Sequence, residues 1–432
     1  MPMFRAGMLG LLRENRFLRR FFISFFQSQV GTSAAYVALL LIAYHELRSG
    51  WAISLVLLGE FLPGIVLAPL FGSLADRVPR RRLTISADLL RAGCFTALAF
   101  VHSFPGTVGL VLLAGVGTSM FRPAINAALP GMVPAERRSQ LVALFYGSVN
   151  TGLMIGPAVT AGLLLFTTPQ VVLVANALTF VASAMLLGGL DLGPHDDDPP
   201  GEEAMPRSIW AQTGAGVRAV AETPGVAVLI VVAALVVLTG AMFNVLAPLL
   251  ATGPLHGGGS GYSVLMALYG TGMVAGSWAN ARAGSEIAAL RRRWLFGIAL
   301  SGVAMAAAAL APNFAAALVS FTLIGLAENL LVGPEMRLVQ ELVAERLLGR
   351  VFGLKDVLEN VAFVSAFLGA GALLTVAGVR TVFVGAGLLT LGLAAVAALS
   401  FKSDRSHERS AKPASRRSPR ATTSAVRLPA AD

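Results

Sequence analysis

The stretch Gly72-Ser73-Leu74-Ala75-Asp76-Arg77-Val78-Pro79-Arg80-Arg81-Arg82 sets one acid and four arginines between two long apolar runs. That charge density has to lie outside hydrocarbon, and a membrane span entering from each side makes the stretch a tight turn. Short arginine-rich turns between spans stay on the cytoplasmic face, so the stretch bears on orientation as well as on fold. The pattern returns about two hundred residues later as Gly276-Ser277-Trp278-Ala279-Asn280-Ala281-Arg282, followed by Arg291-Arg292-Arg293, with asparagine in place of the aspartate. Two similar membrane halves are a transporter architecture before any chemistry is considered.

Composition agrees. Of the 432 residues, 56% are hydrophobic and 13% charged, far from the balance of a soluble domain. A net charge of +10 would raise nucleic acid as a partner, but the arginines fall in short loops and the terminal segment. Positive-inside topology accounts for them there, and no nucleic-acid partner is expected. The single cysteine, Cys94, lies in an apolar run and the five histidines are scattered. Neither a disulfide framework nor metal-ligand spacing results. No Gly-x-x-x-x-Gly-Lys-Ser/Thr loop occurs, so no nucleotide cofactor is expected and energy would come from a gradient.

A helix needs about 20 apolar residues to cross the hydrocarbon, and on that measure the chain holds twelve spans. The first runs from Phe21 to Tyr44; the last three run from Phe314 to Pro334, Val351 to Val376 and Thr381 to Phe401. The expected fold is an all-α membrane protein, with twelve transmembrane helices in two pseudo-symmetric six-helix bundles. Residues 1–20 read as a cytoplasmic arm, 21–190 as the N-terminal bundle, 191–224 as a cytoplasmic linker, 225–401 as the C-terminal bundle and 402–432 as a disordered basic tail. The linker opens on the acidic, proline-rich run from Gly193 to Glu203, with a surface helix expected from Ser208 to Glu222. Even-to-odd turns carry Arg77 to Arg82, Arg137-Arg138, Arg207, Arg282, Arg291 to Arg293, Arg346 and Arg350, whereas the opposite turns carry only Arg48 and Arg380. That asymmetry places both termini in the cytoplasm of a multi-pass cell-membrane protein.

Ala135-Glu136-Arg137 and Ala344-Glu345-Arg346 each precede a glycine-rich span, and at the same offset Asn150 aligns with Glu359 and Gly162 with Gly371. Matching loops in matching places indicate an internal repeat. Gly72 to Arg82 resembles the loop motif between spans two and three of the major facilitator superfamily. Gly152-x-x-x-Gly156-Pro157-x-x-x-x-Gly162 resembles that family's exporter-associated glycine-proline motif. Further wording resembles its drug:proton antiporter branch, which includes macrolide and siderophore exporters: Ala87-Asp88-Leu89-Leu90-Arg91-Ala92, Arg122-Pro123-Ala124, and Gly349-Arg350-Val351. Two departures stand out. Leu110 to Leu113 occupy the place of the branch's span-four arginine, and Asn280 replaces the second-half acid, which makes the expected latch asymmetric.

The resemblance implies that Gly72, Asp76, Arg77 and Arg81 form a conformational latch, with the carboxylate meeting arginine or a helix N-terminus; the plain alternative is a topology anchor. It also implies that Gly152, Gly156, Pro157 and Gly162 seal the cavity through close helix packing. Acids inside a membrane cost about 2.5–3.5 kcal/mol and so count as functional candidates. Glu60, with no sequence-local cation, Glu328 and Glu359 are candidates for proton coupling. Asp88 and Arg91, three apart on one helix, read as a structural pair. Asp356 reads as a rim pair with Lys355. Gln27, Asn150 and Asn244 are candidates for the substrate cavity, with interhelical hydrogen bonding as the alternative. Phe22, Phe25, Phe26, Phe145, Tyr146 and Tyr269 are candidates for an apolar wall.

The expected function is secondary active transport, as proton-coupled efflux of a small amphipathic or hydrophobic compound by alternating access. Partners would be that compound, the proton and membrane lipid, with the chain acting as a monomer. A facilitator-type uptake permease is the alternative, and a scramblase is a more distant one. No nucleophile-and-base or metal-pair constellation recurs within a span, so no enzyme is expected.

Overall fold

The computed structural model describes residues 12–13, 15–47, 50–75, 78–134, 137–190, 225–282, 284 and 286–411, with isolated positions between 214 and 220. Asp76, Arg77, nearly all of the 191–224 linker with its expected surface helix, and residues 412–432 lie outside the described residues. Twelve long helices carry the fold, and the described residues contain no strand. They are α1 (Arg16–Leu47), α2 (Gly50–Ala75), α3 (Arg80–Leu98), α4 (Phe104–Ala128), α5 (Arg138–Leu163) and α6 (Pro169–Gly188), then α7 (Val226–Thr252), α8 (Gly258–Arg282), α9 (Ile287–Leu310), α10 (Phe314–Leu342), α11 (Glu345–Val376) and α12 (Val379–Ala411).

In hydrocarbon every backbone N–H and C=O must be satisfied within the segment, which makes long uninterrupted helices the available structure. Among the described residues nine of the twelve are long and apolar enough to cross a membrane on composition alone. Two of the others have visible reasons for falling short. Helix α3 starts on Arg80-Arg81-Arg82 and holds Asp88 and Arg91, and α8 is rich in glycine and hydroxyl residues. Several helices outrun their apolar stretches: α10 continues past Pro334 to Leu342, α11 begins at Glu345 rather than Val351, and α12 continues past Phe401 to Ala411. Apolar length marks the hydrocarbon core, whereas the hydrogen-bond ladder runs on into polar surroundings. Pro105 and Pro169 sit in first turns, where a missing N–H costs nothing. Asn313 caps α10 by accepting the Ala316 N–H at 2.9 Å.

Packing repeats between the halves. In the first, α1 packs on α5 and α6, α2 on α4, and α3 on α4 and α6; in the second, α7 packs on α11 and α12, α8 on α10, and α9 on α10 and α12. Each pairing maps onto its counterpart by a shift of six helices. The halves meet through α5 with α8 and through α2 with α11, themselves a symmetry-related pair of interfaces.

The buried apolar side chains divide by depth. At the end far from the termini one continuous core takes in Ala34 to Ala43 of α1, Ala52 to Leu57 of α2, Ala241 to Ala251 of α7, Ala304 to Ala311 of α9 and Ala366 to Ala370 of α11. Both bundles share it. At the end that carries the termini the cores are separate. One is built around Phe21, Phe25, Phe121 and Leu187, the other around Leu229, Trp294, Leu338 and Phe401. The bundles share a core at one end and keep separate cores at the other.

Candidate functional site

Between the bundles, where the shared core gives way to the separate ones, polar groups gather on helices that are otherwise apolar. Tyr36 of α1 donates its hydroxyl to Asn244 Oδ1 of α7 at 3.1 Å, a hydrogen bond from one half to the other. Asn244 uses its own N–H on the Ala241 carbonyl at 3.3 Å. Glu60 of α2 and Tyr262 and Tyr269 of α8 lie within electrostatic reach of Tyr36, and Glu328 of α10 within reach of Tyr269. Glu60 Oε2 is buried and has no hydrogen-bond partner among the described residues. Leaving a buried polar atom unsatisfied is costly and rare, so the position calls for a role. Small residues bring the helices together here: a Cβ on Gly115 of α4 would lie 2.8 Å from the Glu60 carbonyl, and one on Gly325 of α10 would overlap the Tyr269 carbonyl.

Aromatic rings close the far side of this cluster. Phe61, next to Glu60, stacks on Phe363 of α11 with centroids 5.7 Å apart and planes at 10°, and meets Phe367 at the same distance. Phe243 of α7 lies against Tyr269, Phe321 and Phe383 at 5.3, 5.2 and 6.0 Å. The cluster thus offers two acids from opposite halves, tyrosine hydroxyls between them and an aromatic floor.

The other sequence candidates fall elsewhere. Gln27 donates its amide to the Ser24 carbonyl and, at 2.8 Å, to the Thr179 carbonyl of α6, so this N–H tie lies within the first bundle. The side chain of Asn150, like that of Tyr146, lies outside what is described. Phe22, Phe25 and Phe145 pack with Phe21 in the first bundle's core rather than forming a wall. Gly152 and Gly156 meet α1: a Cβ on Gly152 would come within 2.9 Å of Gln29 Cγ, and one on Gly156 within 2.5 Å of Ser33 Cβ. Pro157 is buried beside them, while Gly162 has open space around it. Gly72 lies in the last turns of α2, and Arg81 is exposed in the first turn of α3.

Asp88 and Arg91 form a buried ion pair on α3, with Asp88 fully buried and Arg91 6% exposed. The guanidinium also lies 4.5 Å from the Phe121 ring centre and 4.3 Å from that of Phe180, so a cation and two aromatic faces bind α3 to α4 and α6. Lys355 lies within electrostatic reach of Asp356, as expected, but its ion pairs are with other acids. Its ammonium pairs with Glu335 of α10 at 3.1 Å and with Glu359 on its own helix, while Asp356 is exposed. Glu335 and the Tyr36 hydroxyl are absent from the sequence reading. The available signals were the seven-residue spacing of Glu328 and Glu335, two turns on one helix face, and the Lys355 to Glu359 spacing of four.

The sequence matches the Major Facilitator Superfamily over residues 21–283 and 229–430. The chain belongs to that superfamily. Macrolide efflux protein A of Streptococcus pyogenes is 23% identical over 345 residues, covering 78% of this chain and 84% of that protein. A Na(+), Li(+), K(+)/H(+) antiporter of Planococcus maritimus is 31% identical over 149 residues, 33% of this chain and 34% of the antiporter. Among solved structures, a POT family transporter in complex with a thioalcohol-conjugated peptide superposes with a TM-score of 0.71 at 12% identity, over 90% of this chain and 96% of that one. This superfamily member is a multi-pass membrane transporter of small molecules and not an enzyme.

Proposed function

We propose that this superfamily member is a proton-driven exporter of a small amphipathic or hydrophobic compound, working by alternating access. The observation that carries the reading is the half-buried Glu60, whose buried Oε2 has no hydrogen-bond partner among the described residues, beside the Tyr36 to Asn244 bridge between the halves. A carboxyl there can hold or release a proton at the place where the bundles must rearrange, and a bound proton shifts the balance of states only if it favours one of them. Glu328 and Glu359 are the second-half coupling candidates, and Asn244 and the aromatic floor are candidates for substrate contact. The similarity to Macrolide efflux protein A and to a cation/proton antiporter supports export and ion coupling. The arginine-rich turns support a cell-membrane location with both termini cytoplasmic, which makes the end with separate cores the inner one. Gly72, Asp76, Arg77 and Arg81 then act as a latch at that end, and Gly152, Gly156 and Pro157 as a seal where α5 lies on α1.

Inverted membrane vesicles from cells expressing the chain test this, with a radiolabelled macrolide as probe and a panel of amphipathic compounds beside it. Accumulation should rise with an inward-acid gradient and collapse when the gradient is dissipated. Glu60→Gln should abolish the gradient-driven part, by about tenfold or more, while the protein still inserts. Movement that follows only the solute's own gradient defeats the antiport reading and favours a facilitator.

A further inference from the structure

The transport reading gives Glu359 a coupling role and leaves its partners in the charged seam between α10 and α11, Glu335 and Lys355, without one. Lys355 Nζ lies 3.1 Å from Glu335 and also pairs with Glu359, and side-chain exposure rises from 6% at Glu335 through 12% at Lys355 to 22% at Glu359. Glu335 is sunk in the second bundle, in hydrogen-bonding reach of Trp294 on α9. Lys355, Glu359, Phe363 and Phe367 recur at intervals of four and so share one face of α11. Phe363 and Phe367 use that face to meet Phe61 of α2, and Glu359 lies one turn nearer the end where the two cores are separate.

Packing between α10 and α11 is otherwise sparse beside that of α10 with α8 and α9. The internal repeat does not demand these charges. At the offset that pairs Arg137 with Arg346, Tyr146 corresponds to Lys355, Asn150 to Glu359 and Asn126 to Glu335. One ammonium cannot neutralise two carboxylates: with all three ionised the cluster carries a net negative charge where charge is expensive, and one proton brings it to zero.

Resting on the proton-coupled reading, we propose that Glu335 and Lys355 are positioning residues that set the proton affinity of Glu359. When Glu359 is ionised it shares Lys355 with Glu335. When hydronium in the cleft gives Glu359 a proton and leaves as water, Lys355 withdraws to Glu335 alone; release is the reverse. The neighbours of the cluster are accounted for. Glu328 lies two turns along α10 and is electrostatically coupled to Glu335, Glu60 sits on α2, and α7 has no ionisable side chain. Asp356 is exposed at the rim, within electrostatic reach of Lys355; Arg337 and Arg350 are exposed, Arg380 is at the far end of α12, and on α9 Arg291 lies over Phe401 while Arg293 bonds the Gly284 carbonyl.

Infrared difference spectroscopy of the full chain in lipid vesicles reads this without a transported compound, by following the protonated-carboxyl band that Glu359→Gln removes. Glu335→Gln should lower the pH midpoint of that band by about one unit or more, a tenfold change, because Lys355 then serves Glu359 alone. Lys355→Gln should raise it, and Glu335→Asp, which keeps the charge, should stay near wild type. A purely structural role would change thermal stability and leave the midpoint in place. An unmoved midpoint in Glu335→Gln, a downward or absent shift in Lys355→Gln, or no band that depends on Glu359 overturns the proposal. Failure of the antiport reading would show separately, in gradient-independent vesicle transport.

Discussion

Asp88 and Arg91 show how much one pair of side chains can carry in a membrane bundle. Each is buried and each is the other's counter-charge, so removing one leaves an uncompensated charge. Asp88→Ala or Arg91→Ala should therefore cost about 3–5 kcal/mol, visible as a large drop in unfolding temperature in detergent. Asp88→Leu with Arg91→Met should recover much of that loss, since apolar replacement of a whole buried pair is often neutral. If the double substitution were as damaging as either single one, the pair would be doing more than balancing charge. The proximity of these two was legible in the sequence because both lie on one helix three residues apart. The Glu335 to Lys355 contact was not, because the partners lie on different helices and nothing in either local stretch names the other.

Helix α5 illustrates the element scale. Its glycines look alike in sequence and differ in space. A side chain at Gly156 would collide with Ser33 and the Ala34 backbone of α1, whereas a Cβ at Gly162 would meet no other part of the described residues within 4 Å. Thr160 completes the α5–α1 contact by donating to the Ala34 carbonyl at 2.9 Å. Gly156→Leu should push α1 and α5 apart and cost about 1–3 kcal/mol or more, while Gly162→Ala should stay within about 0.5 kcal/mol of wild type. Thermal unfolding of the two variants side by side checks this, and equal losses would contradict the packing described here. Helix number and approximate position could be read from apolar length. Helix ends could not, because α10, α11 and α12 run several residues beyond the hydrocarbon into charged sequence that an apolar criterion leaves out.

For the molecule as a whole, the decisive feature is one shared core at the far end and two separate cores at the end with the termini. The far-end contacts are close: a Cβ on Gly259 of α8 would lie 3.1 Å from Leu41 Cδ1 of α1. Cysteines introduced as Leu41→Cys and Gly259→Cys, joined by a short crosslinker in a Cys94→Ala background, should hold this closure and stop transport. Cleaving the linker should restore it, and transport that persists in the fully crosslinked protein would mean the far end need not open. The sequence by itself determined a membrane-embedded helical protein of two repeated halves, because lipid forces long apolar segments whose number and spacing survive in the chain. Only the tertiary structure decided which helices meet, that Tyr36 reaches Asn244 across the halves, and that Lys355 serves two acids. The physical reason is that lipid and bundle interior are both apolar, so a span's composition says that it is buried without saying in what.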